Sequence, residues 1–273
     1  MNMPHHPDNS SEIEKVRAYI VAVEGEVNRL KIVPRSLDQS VFDSVALAAL
    51  SKIFALAKAC LALLDADFPD EACGLSRSLV ECAINLRYLT QDPALQDNRS
   101  TEFTKYAVAD KSYWLHHALQ GFSGWPEEQG IREHAQQMDI EPDTKAASRH
   151  WSATRSFVWT TTLGDHPLDG PTNTEPRRRV SYAVDYHHTS SFVHCAQPAL
   201  DNYFPEQQNA FCITPSSGQY IQPSQKVLFI IVIYLHSAIA YALFGLGVGR
   251  PANINKEFGE TLQAMKPPER LHQ

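Results

Sequence analysis

Apolar residues return at helical spacing along most of the chain. Ile13, Val16, Ile20, Val23 and Val27 fall three or four apart with charges between them, the pattern of a helix that buries one stripe. Ser11 with Glu14 three residues on reads as a capping box, so a first helix is predicted from Ser11 to about Leu30, ahead of Pro34. A second, from about Leu37 to Ala66, is nearly apolar in its middle: Val45-Ala-Leu-Ala-Ala-Leu, then Ile53-Phe-Ala-Leu-Ala-Lys-Ala. Small side chains at this density predict a central helix that neighbours approach closely on several sides.

Pro69 and Asp70 suit the start of a third helix, running to about Leu89. Leu75, Leu79, Cys82, Leu86 and Leu89 form its packing seam, and Arg77, Glu81, Asn85 and Tyr88 a polar row beside it. That row is either an exposed face with one weak ion pair or an inward arrangement in which Arg77 holds Glu81 toward another helix. Asp92 to Arg99 reads as a loop and Glu102 to Gln120 as a fourth helix, with His116-His117 on a solvated face. A short polar helix follows from Glu127 to Met138. The Gly, Pro, Asp and Asn content of Gly164 to Pro176 marks a loop. Another helix starts near Pro176 and ends near Cys195 or Gln197, and a small hairpin is expected near residues 210–222.

Ser224 opens the last long helix, whose residues Val227 to Gly249 carry no Asp, Glu, Lys or Arg. It is long enough to cross a bilayer. Against a span stand His236 and Ser237 at mid-depth, where polar groups are costly, so the centre of a bundle is the preferred reading and membrane attachment through 227–249 the alternative. Residues 1–10 are expected to be disordered and 251–273 a peripheral tail. The fold expected is therefore all-α: a single-domain helical bundle over 11–250 with long loops.

Composition narrows the function. With 43% hydrophobic and 20% charged residues the chain is an ordinary globular one, and a net charge of -7 argues against sequence-independent nucleic-acid binding as its main business. Five cysteines, an odd number without a Cys-x-x-Cys pair, read as reduced cytoplasmic thiols. The start has neither the basic region nor the apolar run of a secretory signal.

The chemistry-bearing stretch is Tyr182 to His194. It holds three of the twelve histidines and follows Arg177, Arg178 and Arg179. On a helix, His187, Ser191 and His194 share a face below Val180 and Val184. Three readings compete. Asp185-x-x-His188 supplies half of a carboxylate-bridged di-metal site, yet no second acid-x-x-His motif accompanies it, and His187 and His194 stand about 10 Å apart; no metal or cofactor is expected. In acid-base work on an anionic substrate, His194 would titrate near neutrality, Ser191 would orient it or the substrate, and the three arginines would hold phosphate. In a structural reading, Tyr186, Ser190, Ser191 and His194 form a hydrogen-bond network that ties this helix to the Arg77–Glu81 helix.

The Arg-Ser-Leu-Val-Glu core of the third helix, together with Tyr186 to His194, resembles a prokaryotic helical family known only as a domain of unknown function. Its pattern is an Arg-x-x-x-Glu helix followed downstream by a Tyr-Arg-x-x-Ser-x-x-Val-His-like segment. That family in turn looks like the all-helical HEPN group, many of them metal-independent RNases of toxin and phage-defence systems that often act as dimers. The resemblance implies RNA as substrate, a homodimer, His194 as acid/base, and His187 and His188 as substrate-orienting groups. Tyr186 would join the arginines in binding, and Arg77, Glu81 and Asn85 would support the site from behind. The group's motif also has an arginine four to six residues before the histidine. Here no arginine lies between Val180 and His194, which favours the competing class, a non-catalytic interaction or scaffold protein.

Overall fold

The computed structural model describes residues 10–105, 128–137, 165–181, 185–186, 189 and 222–265. Among them there is no strand, and the fold is an all-α bundle. Its centre is a trio of helices: α2 (Val41–Asp65), α3 (Pro69–Thr90) and α7 (Gln222–Gly245). α3 and α7 make the most extensive contact, and each also packs on α2. α1 (Ser10–Arg29) lies against α2 on one side and against α8 (Ala252–Ala264) on the other. The rest comprises the helical stretch 96–105 (α4), Glu128–Gln137 (α5) and Glu175–Ser181 (α6).

The apolar stripes dictate this arrangement. Ile13, Val16, Ile20 and Val23 of α1 are buried as the spacing predicts, together with Tyr19. α2 buries Phe42, Ala46, Leu50, Ile53, Ala57, Cys60 and Leu61. α7 is buried at Val227, Leu228, Ile231, Val232, Leu235, Ala238 and Ile239, more than one face of a helix. α2 and α7 are both long and apolar enough to cross a membrane by length and composition; 44% and 61% of their most apolar stretches are buried within the bundle.

Several boundaries differ from the sequence reading. α1 begins at Ser10, so Ser11 lies inside the helix rather than capping it. α2 begins at Val41 instead of Leu37, because residues 36–40 form a turn and Ser40 caps the helix, accepting from the Asp43 amide at 3.3 Å. A second cap comes from far along the chain: Asp97 Oδ1 accepts from the Phe42 amide at 3.0 Å and from the Ser40 hydroxyl at 2.8 Å. This carboxylate at the positive end of α2 fixes the start of α4. The expected loop at 92–99 is correspondingly short: Pro93–Leu95 is a 3-10 turn capped by Asp92, and helix resumes at residue 96. The polar run Ser100, Thr101, Thr104 hid the start of this helix. Its hydroxyls bond back to the carbonyls of Gln96, Asp97 and Ser100, so they neither need solvent nor break the turn.

The segment after Arg250, read as a peripheral tail, contains α8, which buries Ile254 and Thr261, with Met265 just beyond it. α5 agrees with the sequence reading to within a residue at each end. The hairpin expected near 210–222 lies outside the described residues, except that Gln222 is already in α7.

α7 ends against α2 and α3. Gly247, at φ 67°, adopts the left-handed conformation that closes the helix. A Cβ at Gly245 would lie 2.4 Å from the ring of the fully buried Phe42 and 2.6 Å from the Thr90 methyl. Gly245→Ala is accordingly expected to destabilise the protein by about 1–3 kcal/mol through overpacking. A urea midpoint lowered with an unchanged slope would show it, whereas Gly259→Ala, where nothing lies within 4 Å, should be neutral or stabilising.

Candidate functional site

Two polar clusters hang on α3. The first is the row read from the sequence. Arg77 donates from Nε to Glu81 Oε1 at 3.0 Å and from NH2 to the Tyr186 hydroxyl at 2.7 Å, with its guanidinium carbon 4.7 Å from the Tyr186 ring centroid. The row is thus inward at one end and open at the other: the Arg77 side chain is 19% exposed and Glu81 43%. Burial, with Glu81 adding to it, pushes the Tyr186 phenol above its ordinary value. Asn85, one turn beyond Glu81, is half-buried. The link from Tyr186 to the Arg77–Glu81 helix is the part of the anticipated network that the described residues contain. His187, His188, Ser190, Ser191 and His194 lie outside the described residues, as does the Arg179 side chain.

The second cluster was not legible as a site. Arg87 is buried near the C-terminal end of α3. Its two terminal nitrogens donate to the two oxygens of Asp169 at 2.6 and 2.7 Å, and NH1 also to the Tyr241 hydroxyl of α7 at 3.1 Å. A guanidinium taken out of water needs a matched anion, and the loop before α6 delivers it. Asp169 also accepts from the His166 amide at 2.9 Å, Asn173 Nδ2 at 2.7 Å and Arg178 NH1 at 3.2 Å. Burial alone would raise this carboxyl; Arg87, then the His166 amide and Arg178, outweigh burial and hold it below the usual carboxylate value.

These contacts alter the reading of the arginine triplet. Arg178 is buried, donating to Asp169, to the Asn173 carbonyl and to Asp165 Oδ1 at 3.2 Å. Arg177 is exposed, with one long contact of 3.5 Å to the Thr172 carbonyl. The structure therefore separates two arginines that the sequence grouped together: Arg178 serves the fold and Arg177 faces outward.

His166 completes the cluster. Its Nδ1 accepts from the Leu168 amide at 3.0 Å, so the neutral ring carries its proton on Nε2, which donates to Thr90 Oγ1 at 3.0 Å. The Thr90 hydroxyl donates in turn to the Leu86 carbonyl at 2.7 Å. Tyr241 and Phe244 meet the ring edge-on, at centroid distances of 4.7 and 5.4 Å. Burial, with the Arg87 charge adding to it, pushes the imidazole down to about 4.

Beside this cluster lies a cavity of about 190 Å³ between α3, the residues Asn173, Arg178 and Asp185, and α7. Asp185 Oδ2 accepts from the Tyr234 hydroxyl at 2.8 Å. Burial raises the Asp185 carboxyl above its ordinary value, against the pull of Tyr234 and Lys226. Asp185 is the acid of the Asp185-x-x-His188 pattern. Among the described residues no three His, Cys, Asp or Glu side chains come together as a metal site.

The sequence signal for Arg87 was faint but present. It continues the buried series Ser76, Val80, Ala83 at steps of four, three and four residues, so a charge stands on the buried stripe. Nothing in the 165–174 loop marks Asp169 as its partner.

Two outcomes follow from this geometry. Asp169→Ala leaves Arg87 and Arg178 buried without their shared carboxylate and is expected to cost about 3–5 kcal/mol, against less than ~0.5 kcal/mol for exposed Arg177→Ala; chemical denaturation of both variants reads the difference. For His166, the folded pKa of about 4 lies below the unfolded value of 6.5, so only the unfolded chain takes up a proton between those values. Stability should fall by roughly 3 kcal/mol as the pH drops from 6.5 to 4, and His166→Gln should remove that part of the slope. An unchanged pH profile in the variant would contradict the assigned neutral ring.

No curated protein matches this chain, and no solved structure does. One family profile does match, over residues 43–211, a span that takes in α2, α3, the Arg77 row, the Arg87–Asp169 pair and the histidine-rich stretch while leaving out α1, α7 and α8. Because that span is well over half of the 273 residues, the chain belongs to DUF5677, a family of unknown function.

Proposed function

We propose that this protein is a HEPN-like helical bundle of a bacterial defence or toxin type that cleaves RNA without a metal ion, acting as a homodimer. The observation that carries the reading is the Arg77–Tyr186 hydrogen bond. It joins the half-open Arg77–Glu81 pair to the residue immediately before His187 and His188. Metal-independent cleavage needs a base for the 2′-hydroxyl proton and a fixed cation for the charge that develops on the phosphate. His194 would take that proton as the 2′-oxygen attacks phosphorus, and the 5′-oxygen would leave and be protonated. The products are a 2′,3′-cyclic phosphate and a 5′-hydroxyl end. Arg77, permanently charged, would supply the cation that the 180–194 stretch lacks, with His187 and His188 orienting the strand and Ser191 orienting His194.

A second reading has its own support. Arg178 and Arg87 are both committed to Asp169, so these two basic groups serve packing. In that reading the chain is a non-catalytic interaction protein and the Arg77–Tyr186 contact one more tie between elements. Membrane attachment through α7 would have to draw out a helix whose most apolar stretch is already 61% buried in the bundle.

Incubation of purified protein with a broad RNA panel in EDTA separates the two. The nuclease reading expects cleavage that survives the chelator, falls about 10²-fold or more in His194→Ala and falls in Arg77→Gln, with helical circular dichroism retained. Intact RNA throughout the panel would leave the interaction reading standing.

A further inference from the structure

We propose that the cavity between α3, Asn173, Asp185 and α7 binds one small, neutral, planar heterocycle with hydrogen-bonding atoms on both edges, the size of a pyrimidine base. Volume sets the first limit. A cavity of about 150 Å³ accepts a benzene ring, so the 190 Å³ here holds a single ring with a few polar substituents and leaves any attached sugar or phosphate outside it. The walls set the second. Ala83 and Ile84 of α3 and Ile233 of α7 are apolar surfaces against which a flat ring can lie.

Charge sets the third. Arg87 and Arg178 line the cavity, yet both are matched by Asp169, and Arg178 by Asp165 as well. Two guanidinia disfavour a cationic ligand, and Asp185 disfavours an anionic one, so a neutral molecule is selected. The remaining hydrogen-bonding capacity then fixes the polar pattern. Asp185 has one oxygen on Tyr234, and its other oxygen has no hydrogen bond among the described residues. The Tyr241 hydroxyl accepts from Arg87, and its own proton has no acceptor among the described residues. Tyr241 follows Tyr234 by seven residues, about 10 Å along α7, which places the two polar groups at different heights of the α7 wall, so that one ring can be offered to both. Ser237, between them, spends its proton on the Ile233 carbonyl at 2.8 Å.

A ring of this kind arrives either as a free base or as a base carried on an RNA strand. Ligand-observed NMR titrations of the full chain with uracil, with toluene as an apolar ring of similar size, and with a short oligouridylate test the proposal and distinguish the sources. Uracil is expected to bind at least tenfold tighter than toluene, about tenfold weaker to Asp185→Asn, and not at all to Ser237→Leu. The leucine fills the cavity from a helix position it suits, and circular dichroism checks that the fold persists. Oligouridylate competing with uracil identifies a strand-borne base, and uracil binding alone a free one. Absence of saturation by uracil, equal binding of toluene, or binding that Ser237→Leu retains would overturn the proposal. The inference rests on the cavity alone, so failure of RNA cleavage leaves it standing.

Discussion

The structure turns on one buried charge. Arg87 occupies a position of α3 that faces α7, and its guanidinium cannot stay there unmatched. Asp169 matches it in a two-pronged geometry, which draws the segment 165–174 across the end of the α3–α7 seam. From that follow the seat of His166 on Thr90, the burial of Arg178 and the contact of Tyr241 with Arg87. Pairs of this kind add little net stability compared with an apolar replacement, because desolvation offsets the attraction. With Arg87 in the core, the 165–174 segment supplies both carboxylate oxygens that match it.

The cavity borders the same cluster, with Arg87 and Arg178 among its lining residues. Ala83 of α3 and Ser237 of α7, both small side chains, line it as well. Asp185 and Tyr241 line the same space. On the neighbouring face of α3, Arg77 reaches Tyr186. Consecutive residues therefore join different partners, Asp185 to α7 and Tyr186 to α3. The π-helical turn at these two residues widens the spacing of neighbouring side chains, and such widening suits a segment wedged between two helices.

Much of the fold was legible because burial and periodicity coincide in it. α1, α2, α3, α5 and α7 carry apolar stripes or polar-helix patterns that specify their course, and the Arg77–Glu81 row showed its polarity on the helix surface. α8 was misread as a tail because its amphipathic stripe is sparse, with Ile254 and Thr261 as the buried anchors. The start of α4 was hidden by serine and threonine hydroxyls that bond within the helix itself. The Arg87–Asp169 pair was illegible for a different reason. Partners 82 residues apart leave no local pattern, and an arginine on a helix is by default a solvated one. Grouping Arg177, Arg178 and Arg179 as a phosphate clamp followed from their adjacency, whereas helical geometry turns neighbours about 100° apart and sends Arg178 inward.

Arg87 and Asp169 act as a unit in holding the 165–174 segment. A double-mutant cycle of Arg87→Met and Asp169→Asn, read by chemical denaturation, tests it most directly. A coupling energy of about 2 kcal/mol or more, with the double variant more stable than additivity allows, is the predicted result. Additive losses, with coupling below ~0.5 kcal/mol, would contradict it and return the 165–174 segment to the status of an independent surface loop.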